Sequence, residues 1–381
     1  MRTLSRDDIR MVMVGATFLG GGGGGPLDVG YQIIENTLGS DYSVELKELS
    51  DKDVKGYGAM VASLGSPEKI KENGNFGPDG VAAYEAFQTA MSLEGKDVGY
   101  MYSGEMGGFN TMVPILVTIL ANKSGKNVTL LDVDANGRAV PELNTSLNSA
   151  RGFPSKPIGL GALTGTKCIV FSDKDEEGEQ ICRALCQLYN SQIGFSTWAM
   201  SCDELKNNAV VGCISKAKLI GEKLEEAMRP KDPDDPDYNK DVIDYLKEIM
   251  TCRLLVHGQI IDKTVEVISG FDVGKTKIKD AHSDEEYTIY FQNENLYVTN
   301  KAGEVIITAP EVISTVCRDP KGTQYSGQPM DNATTKVGMM VDVILSPADD
   351  KWWSEDKNAY LCWKDALKRA GYEGEQVRYS E

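Results

Sequence analysis

Residues 20–25 are six consecutive glycines, closed by Pro26. Neither a helix nor a strand runs easily through such a tract, because each glycine surrenders more backbone freedom on folding than any other residue. A tight turn needs one or two glycines. What six in a row offer is a backbone that approaches a ligand without side chains in the way and turns to positive φ. The tract therefore reads as an anion-binding nest or oxyanion hole built from the amides of Gly22, Gly23 and Gly24, against a plain linker. It follows a helix-like segment, residues 9–19, that starts from Ser5 or Thr3 as cap. That is the wrong context for a dinucleotide fingerprint, and no Gly-Lys-Ser/Thr follows as a phosphate loop requires.

Beyond the glycines, alternation or short apolar runs predict strands over residues 42–49, 57–63, 97–102 and 128–131. Helical patterns over 81–93 and 112–122 lie between them. Strand, helix, strand in this order predicts a parallel sheet with crossover helices, and ligands then gather at the carboxyl ends of the strands. The fold class expected is an α/β N-terminal domain with a largely parallel sheet, over residues 1–164, and a mainly β C-terminal domain with inserted helices, over 165–381. A helical segment over 176–250 includes a Pro- and Asp-rich exposed loop at 229–238. Short strands at 254–268, 286–291, 296–299, 304–309, 312–317 and 339–345 follow it.

The 381 residues carry a net charge of −17. That argues against nucleic acid and anionic membrane surfaces, both of which require a positive field, and in favour of a small-molecule substrate. No signal-peptide pattern opens the sequence, and no run reaches the roughly 18–20 apolar residues of a membrane span. A cytoplasmic enzyme, with a homo-oligomer as an open option, is expected. The eight cysteines form no Cys-x-x-Cys pair, so no zinc knuckle or redox dithiol is read from them. Cys182 and Cys186 share a helix face and read as core thiols. Of the two histidines, His257 reads as a core or edge residue and His282 as a surface one, and no Gly-x-Ser-x-Gly elbow supports a Ser-His-Asp triad.

Two segments concentrate polar chemistry at predicted strand ends. Ser103-Gly-Glu-Met-Gly-Gly-Phe-Asn sets Glu105 and Asn110 beside glycines, where a carboxylate serves as general base, metal ligand or helix cap. Asp132-Val-Asp-Ala-Asn-Gly-Arg-Ala-Val-Pro-Glu142 brings Asp132, Asp134, Arg138 and Glu142 within eleven residues. Arg138 is read as the bidentate anchor of a substrate carboxylate or ring carbonyl, with an internal salt bridge to Asp134 or Glu142 as the competing reading. The four carboxylates Glu105, Asp132, Asp134 and Glu142 would also suit a hard divalent metal ion, of unknown identity.

These motifs, with Gly65-Ser-Pro67 and Phe291-Gln-Asn-Glu-Asn-Leu296, resemble in order the DUF917 family, also called S-methyl-thiohydantoin desulfurases. The resemblance covers nearly the whole chain. It implies an α/β domain joined to a mainly β domain, an association with hydantoinase-type genes, and hydrolytic removal of sulfur from a cyclic amide, a thiohydantoin or its S-methyl form. For that reaction Glu105 or Asp132 is the expected base. Gly22, Gly23 and Gly24 would take the developing charge, and Arg138 with Asn110 would hold the ring. Two other classes stay open: a non-catalytic module for a cyclic amide or carboxylate, and an ATP-using subunit of a hydantoinase- or oxoprolinase-like complex.

Overall fold

Ser5 caps the first helix, Arg6–Leu19, in a reciprocal capping box with Asp8. The helix ends at Gly20, whose amide still closes a helical bond to Ala16. The structure, a computed structural model, describes all residues except 1, 66, 231, 233, 269–270, 321–322, 356–357 and 381. Ser66 of the Gly65-Ser-Pro67 motif, and Lys231 and Pro233 of the acidic loop, thus lie outside the described residues.

The first sheet is built from β1 (Arg2–Ser5), β2 (Ser43–Lys47), β3 (Tyr57–Gly65), β4 (Val98–Ser103), β5 (Thr129–Asp134), β6 (Ile158–Gly161), β7 (Lys167–Val170), β8 (Gln192–Ser201) and β9 (Val210–Val211). Their order is β1-β2-β5-β4-β3-β8-β6-β7, with β9 paired to β5. The central strands β2, β5, β4 and β3 are parallel. Helices Pro78–Leu93 and Met112–Lys123 make the crossovers between them. Residues 112–119 and Ala121 of Met112–Lys123 are buried, all but Thr118 of them apolar, as suits a helix covering a parallel sheet. Antiparallel strands flank this centre on both sides.

The second sheet is antiparallel throughout. It contains β10 (Arg253–Ile268), β11 (Phe271–Asp280), β12 (Glu286–Gln292), β13 (Glu294–Thr299), β14 (Val305–Thr308), β15 (Val312–Cys317), β16 (Pro329–Met330) and β17 (Met340–Ser346). Val256, Ile260, Ile278, Ile289, Val298 and Val343 form its separate apolar core. The expected two-part architecture is present. The first sheet continues past residue 164 through β7, β8 and β9, and the second begins at Arg253. β8 escaped the sequence reading because Gln192-Ile-Gly-Phe-Ser-Thr-Trp-Ala mixes polar and small residues on both faces, leaving no clear alternation, yet nearly all of it is buried. Among the described residues no helix is long and apolar enough to cross a membrane.

One helix crossing anchors the layer behind the glycine tract. Helix Cys213–Met228 lies so close to Arg6–Leu19 that a Cβ on Gly15 would stand 1.8 Å from the Ala217 carbonyl oxygen, and one on Gly221 2.1 Å from that of Met11. Backbone, unlike a side-chain tip, cannot swing aside. Gly15→Ala is therefore expected to destabilise the protein by roughly 1–3 kcal/mol, seen as a lower urea midpoint at unchanged slope. An unchanged midpoint would show that the helices part without cost.

Candidate active site

The glycine tract leaves the first helix and enters the space between the two sheets, where its carbonyl groups, rather than its amides, tie the surroundings together. Gly21 O accepts from Asn295 N (2.8 Å), Gly22 O from Asn332 N (2.7 Å) and Gly24 O from Asn110 N (3.0 Å). One loop thus joins three segments remote in sequence. Side chains are excluded by crowding as well as by φ. Gly22 lies at φ 91°, and a Cβ there would meet Asn332 Nδ2 at 2.6 Å and Asn295 Nδ2 at 2.7 Å. At Gly23 a Cβ would stand 2.1 Å from Glu294 Oε1. The Gly23 amide turns inward to Gly20 O at 3.2 Å, so it does not join the expected nest. The amides of Gly22 and Gly24 have no acceptor among the described residues.

Against this loop opens a cavity of about 960 Å³, lined in part by Gly22 to Gly25, Glu105, Asn110, Glu142 and Glu294. Glu105 follows the carboxyl end of β4, at the edge where a parallel sheet exposes its strand ends. Its Oε2 accepts from Val140 N at 2.8 Å and its Oε1 from the Asn110 side-chain amide. Burial pushes this carboxyl up to about 7, against the pull of those two donors and with the nearby Asp134 adding to the rise.

Glu294, the first residue of β13, reaches the same cavity from the second sheet. It is buried, its Oε2 has no hydrogen-bond partner, and burial together with the Glu105 charge holds its carboxyl well above the usual range. Two carboxyl groups that repel one another at one cavity differ in their readiness to give up a proton. Burial and the Glu105 charge favour the protonated form of Glu294, while the Glu105 carboxyl titrates near 7, the arrangement in which one group donates a proton as the other accepts one.

The sequence reading named Glu294 within a motif but gave it no role. Its signal was a glutamate and an asparagine opening the otherwise apolar strand Glu294–Thr299. Such polar residues on a fully buried strand stand there for a partner or a ligand.

The remaining expected site residues divide. Asn110 and Glu142 line the cavity, Glu142 held by Arg369 Nη2 at 2.7 Å. Asp132 does not. It accepts from Ser215 N (3.1 Å) and pairs with Arg2 (3.4 Å), capping helix Cys213–Met228, so a role as base is not supported by its position. Asp134 points to the same side of β5, folded back onto the amides of Asn136 (2.8 Å) and Gly137 (2.6 Å). Burial raises its carboxyl to about 7.

Arg138 is buried, and its guanidinium is taken up by backbone carbonyls. It donates to the carbonyls of Ala139 (2.9 Å), Pro310 (2.8 Å), Glu311 (2.7 Å) and Asn295 (3.1 Å), and its guanidinium lies 4.5 Å from the centre of the Trp363 ring. Its expected role as substrate anchor is therefore corrected, as is the alternative salt bridge to Asp134 or Glu142: it bolts the two sheets together. Burial lowers its pKa to about 10, which leaves it charged at neutral pH beside Glu294 and Glu105.

The four carboxylates proposed for a metal ion do not converge, since Asp132 and Asp134 turn away from the cavity that Glu105 and Glu142 line. Among the described residues no three His, Cys, Asp or Glu side chains stand close enough to share an ion. His257 pairs with Asp342 at 2.6 Å on β10, away from the cavity. Cys182 and Cys186 are buried thiols, held up to about 12 and about 11 by desolvation.

The family model described as S-Me-THD-like, N-terminal domain, matches residues 7–172, and that described as S-Me-THD-like, C-terminal domain, matches residues 173–361. Among solved structures, a protein from Chromobacterium violaceum whose description names no function is similar over 99% of this chain and 100% of its own, with a TM-score of 0.79 and 23% identity. That likeness establishes the fold. No curated protein matches.

Proposed function

The chain belongs to the S-Me-THD-like family, and from that premise and the site's geometry we propose that it hydrolyses an S-methyl-thiohydantoin to the hydantoin and methanethiol. The observation that carries the reading is the pair of carboxyl groups, Glu105 and the buried Glu294, on the wall of one cavity with Gly22 and Gly24.

In this reading the Glu105 carboxylate takes a proton from water as its oxygen bonds to C2 of the ring. The electron pair of the C2=N bond moves to nitrogen, which receives the proton of Glu294. The tetrahedral carbon then carries hydroxyl and methylthio groups. On collapse the C2–S bond breaks, the hydroxyl proton returns to Glu294 as C2=O forms, and the departing sulfur takes the proton held by Glu105. Both side chains regain their starting states, and water and substrate have become hydantoin and methanethiol. The Gly22 and Gly24 amides supply two donors for the ring carbonyl oxygen, which shares the charge built up at the ring nitrogen. Asn110, bonded to Glu105, fixes the rotamer of the base.

The test is hydrolysis of a panel of 2-methylthio-imidazolones in ¹⁸O-labelled water. One labelled oxygen at C2 of the hydantoin, with one equivalent of methanethiol, is the expected result. Failure to release thiol from any of the panel, with saturable binding intact, would replace the hydrolase reading with that of a binding module.

A further inference from the structure

We propose, resting on the hydrolase reading for the identity of the ring, that the first-sheet wall of the cavity is a subsite for a large aromatic substituent at C5, and that Trp198 sets this preference. A cavity of about 960 Å³ belongs with the pockets that enclose drug-sized ligands. A bare methylthio-imidazolone would leave most of it empty, so the substrate carries a further group. The second sheet and its loops offer that group a polar lining, which includes Asp272, Asn293, Asp331 and Asn332. The first sheet offers an apolar one, Met60, Ala62 and Leu64 of β3 with Phe195 of β8. Met60, Ala62 and Leu64 alternate along β3 and Phe195 pairs with Ala62, so the four share one face of the sheet. Glu142 and Glu179, which also line the cavity, already have Arg369 (2.7 Å) and Arg183 (2.6 Å) as partners, so neither calls for a cation on the substrate.

An irregularity in β8 brings Trp198 to the same wall. Thr197 stands opposite Met60 and Met200 opposite Gly58, so Trp198 and Ala199 together face Ala59 alone. Bulges of this kind re-aim a side chain and recur beside active sites. Trp198 lies at φ 48°, a conformation that bulky residues rarely adopt and that persists only where the surroundings hold it. Here they do: the indole Nε1 donates to Phe153 O at 3.0 Å, and the Trp198 carbonyl accepts from the Tyr102 hydroxyl at 2.8 Å. The indole belongs to one apolar cluster with Met60 and Phe195, and it lines the cavity. A rigid ring fixed by its polar edge leaves an aromatic surface against which a second ring packs, offset-stacked or edge-on.

The test pairs two sets of compounds, 2-methylthio-imidazolones and the matching hydantoins, each carrying benzyl, methyl, aminobutyl or carboxyethyl at C5. Thiol release gives kcat/KM for the first set, and calorimetry gives Kd for the second. The wild type is expected to favour benzyl over methyl at least about tenfold in both measurements. Trp198→Gly, which the positive φ suits, is expected to bring that ratio to within about threefold of one. Circular dichroism checks its fold, and the wild-type ratios decide on their own if the variant does not fold. Equal affinity for benzyl and methyl, tighter binding of either charged substituent, or a preference that survives Trp198→Gly overturns the subsite. A benzyl preference in binding with no thiol released from any compound overturns the hydrolysis and leaves the subsite standing.

Discussion

Glu105→Gln is expected to lower kcat by about 10²–10⁴-fold while leaving substrate affinity within a few-fold, because the substitution keeps the shape of the base and removes its proton acceptor. Glu294→Gln is expected to lose turnover to a similar degree, since an amide cannot deliver the proton that ring nitrogen requires. Wild-type activity should rise with pH through about 7, where Glu105 ionises. The double variant should be little worse than either single one, as groups acting in one proton relay are not additive. Full activity in both single variants would remove the carboxyl pair from the mechanism.

The same substitution carries a thermodynamic signature independent of any substrate. Glu105 has a folded pKa of about 7 against an ordinary value of 4.5. Below about pH 4 it is protonated in both states and costs nothing. As pH rises, the unfolded chain ionises first, so stability falls until the folded carboxyl also ionises, a loss of about 3 kcal/mol. Comparing urea unfolding at pH 5 and pH 8 should therefore show a smaller loss in Glu105→Gln than in the wild type. Equal losses would mean that the carboxyl is not buried as described.

Arg138→Met is expected to be among the most damaging single substitutions in the molecule, costing about 3–5 kcal/mol. It leaves the carbonyls of Pro310, Glu311 and Asn295 without their donor in a site that water does not reach. It also removes the positive charge that faces Glu105, Glu294 and Glu311. Arg138→Lys should rescue only part of this, because one ammonium on a flexible stem cannot satisfy a fork of carbonyls on two sides of the guanidinium. A denaturation midpoint unchanged in the methionine variant would refute the bolt.

Much of the parallel core was legible because its strands and crossover helices are uninterrupted apolar runs bounded by polar turns. The strand β6 was not, since Ile158-Gly-Leu-Gly resembles a loop until Gly159 and Gly161 are seen pressed against the backbone of helix Pro78–Leu93. In the site, proximity along the chain misled. Asp132 and Asp134 share a face of β5, and that face meets helix Cys213–Met228 rather than the cavity. Glu294 lies far from Glu105 in sequence, and only the pairing of two sheets around the glycine tract brings them together. No spacing rule predicts a partner supplied by tertiary packing. Arg138 was recognised as exceptional, but its planar fork matches backbone carbonyls as readily as a ligand, and sequence does not distinguish them.

The glycine carbonyls that accept from Asn295 and Asn332 also govern when the cavity comes into being. During synthesis the first sheet has its central strands long before either asparagine leaves the ribosome, and closing loops of this span is slow. Until the C-terminal sheet arrives, Gly24 has its bond from Asn110 but Gly21 and Gly22 lack theirs, and Glu105 has Val140 and Asn110 as donors but no Glu294 near it. The approach of the two carboxyl groups to one cavity therefore marks the moment at which both halves have finished folding.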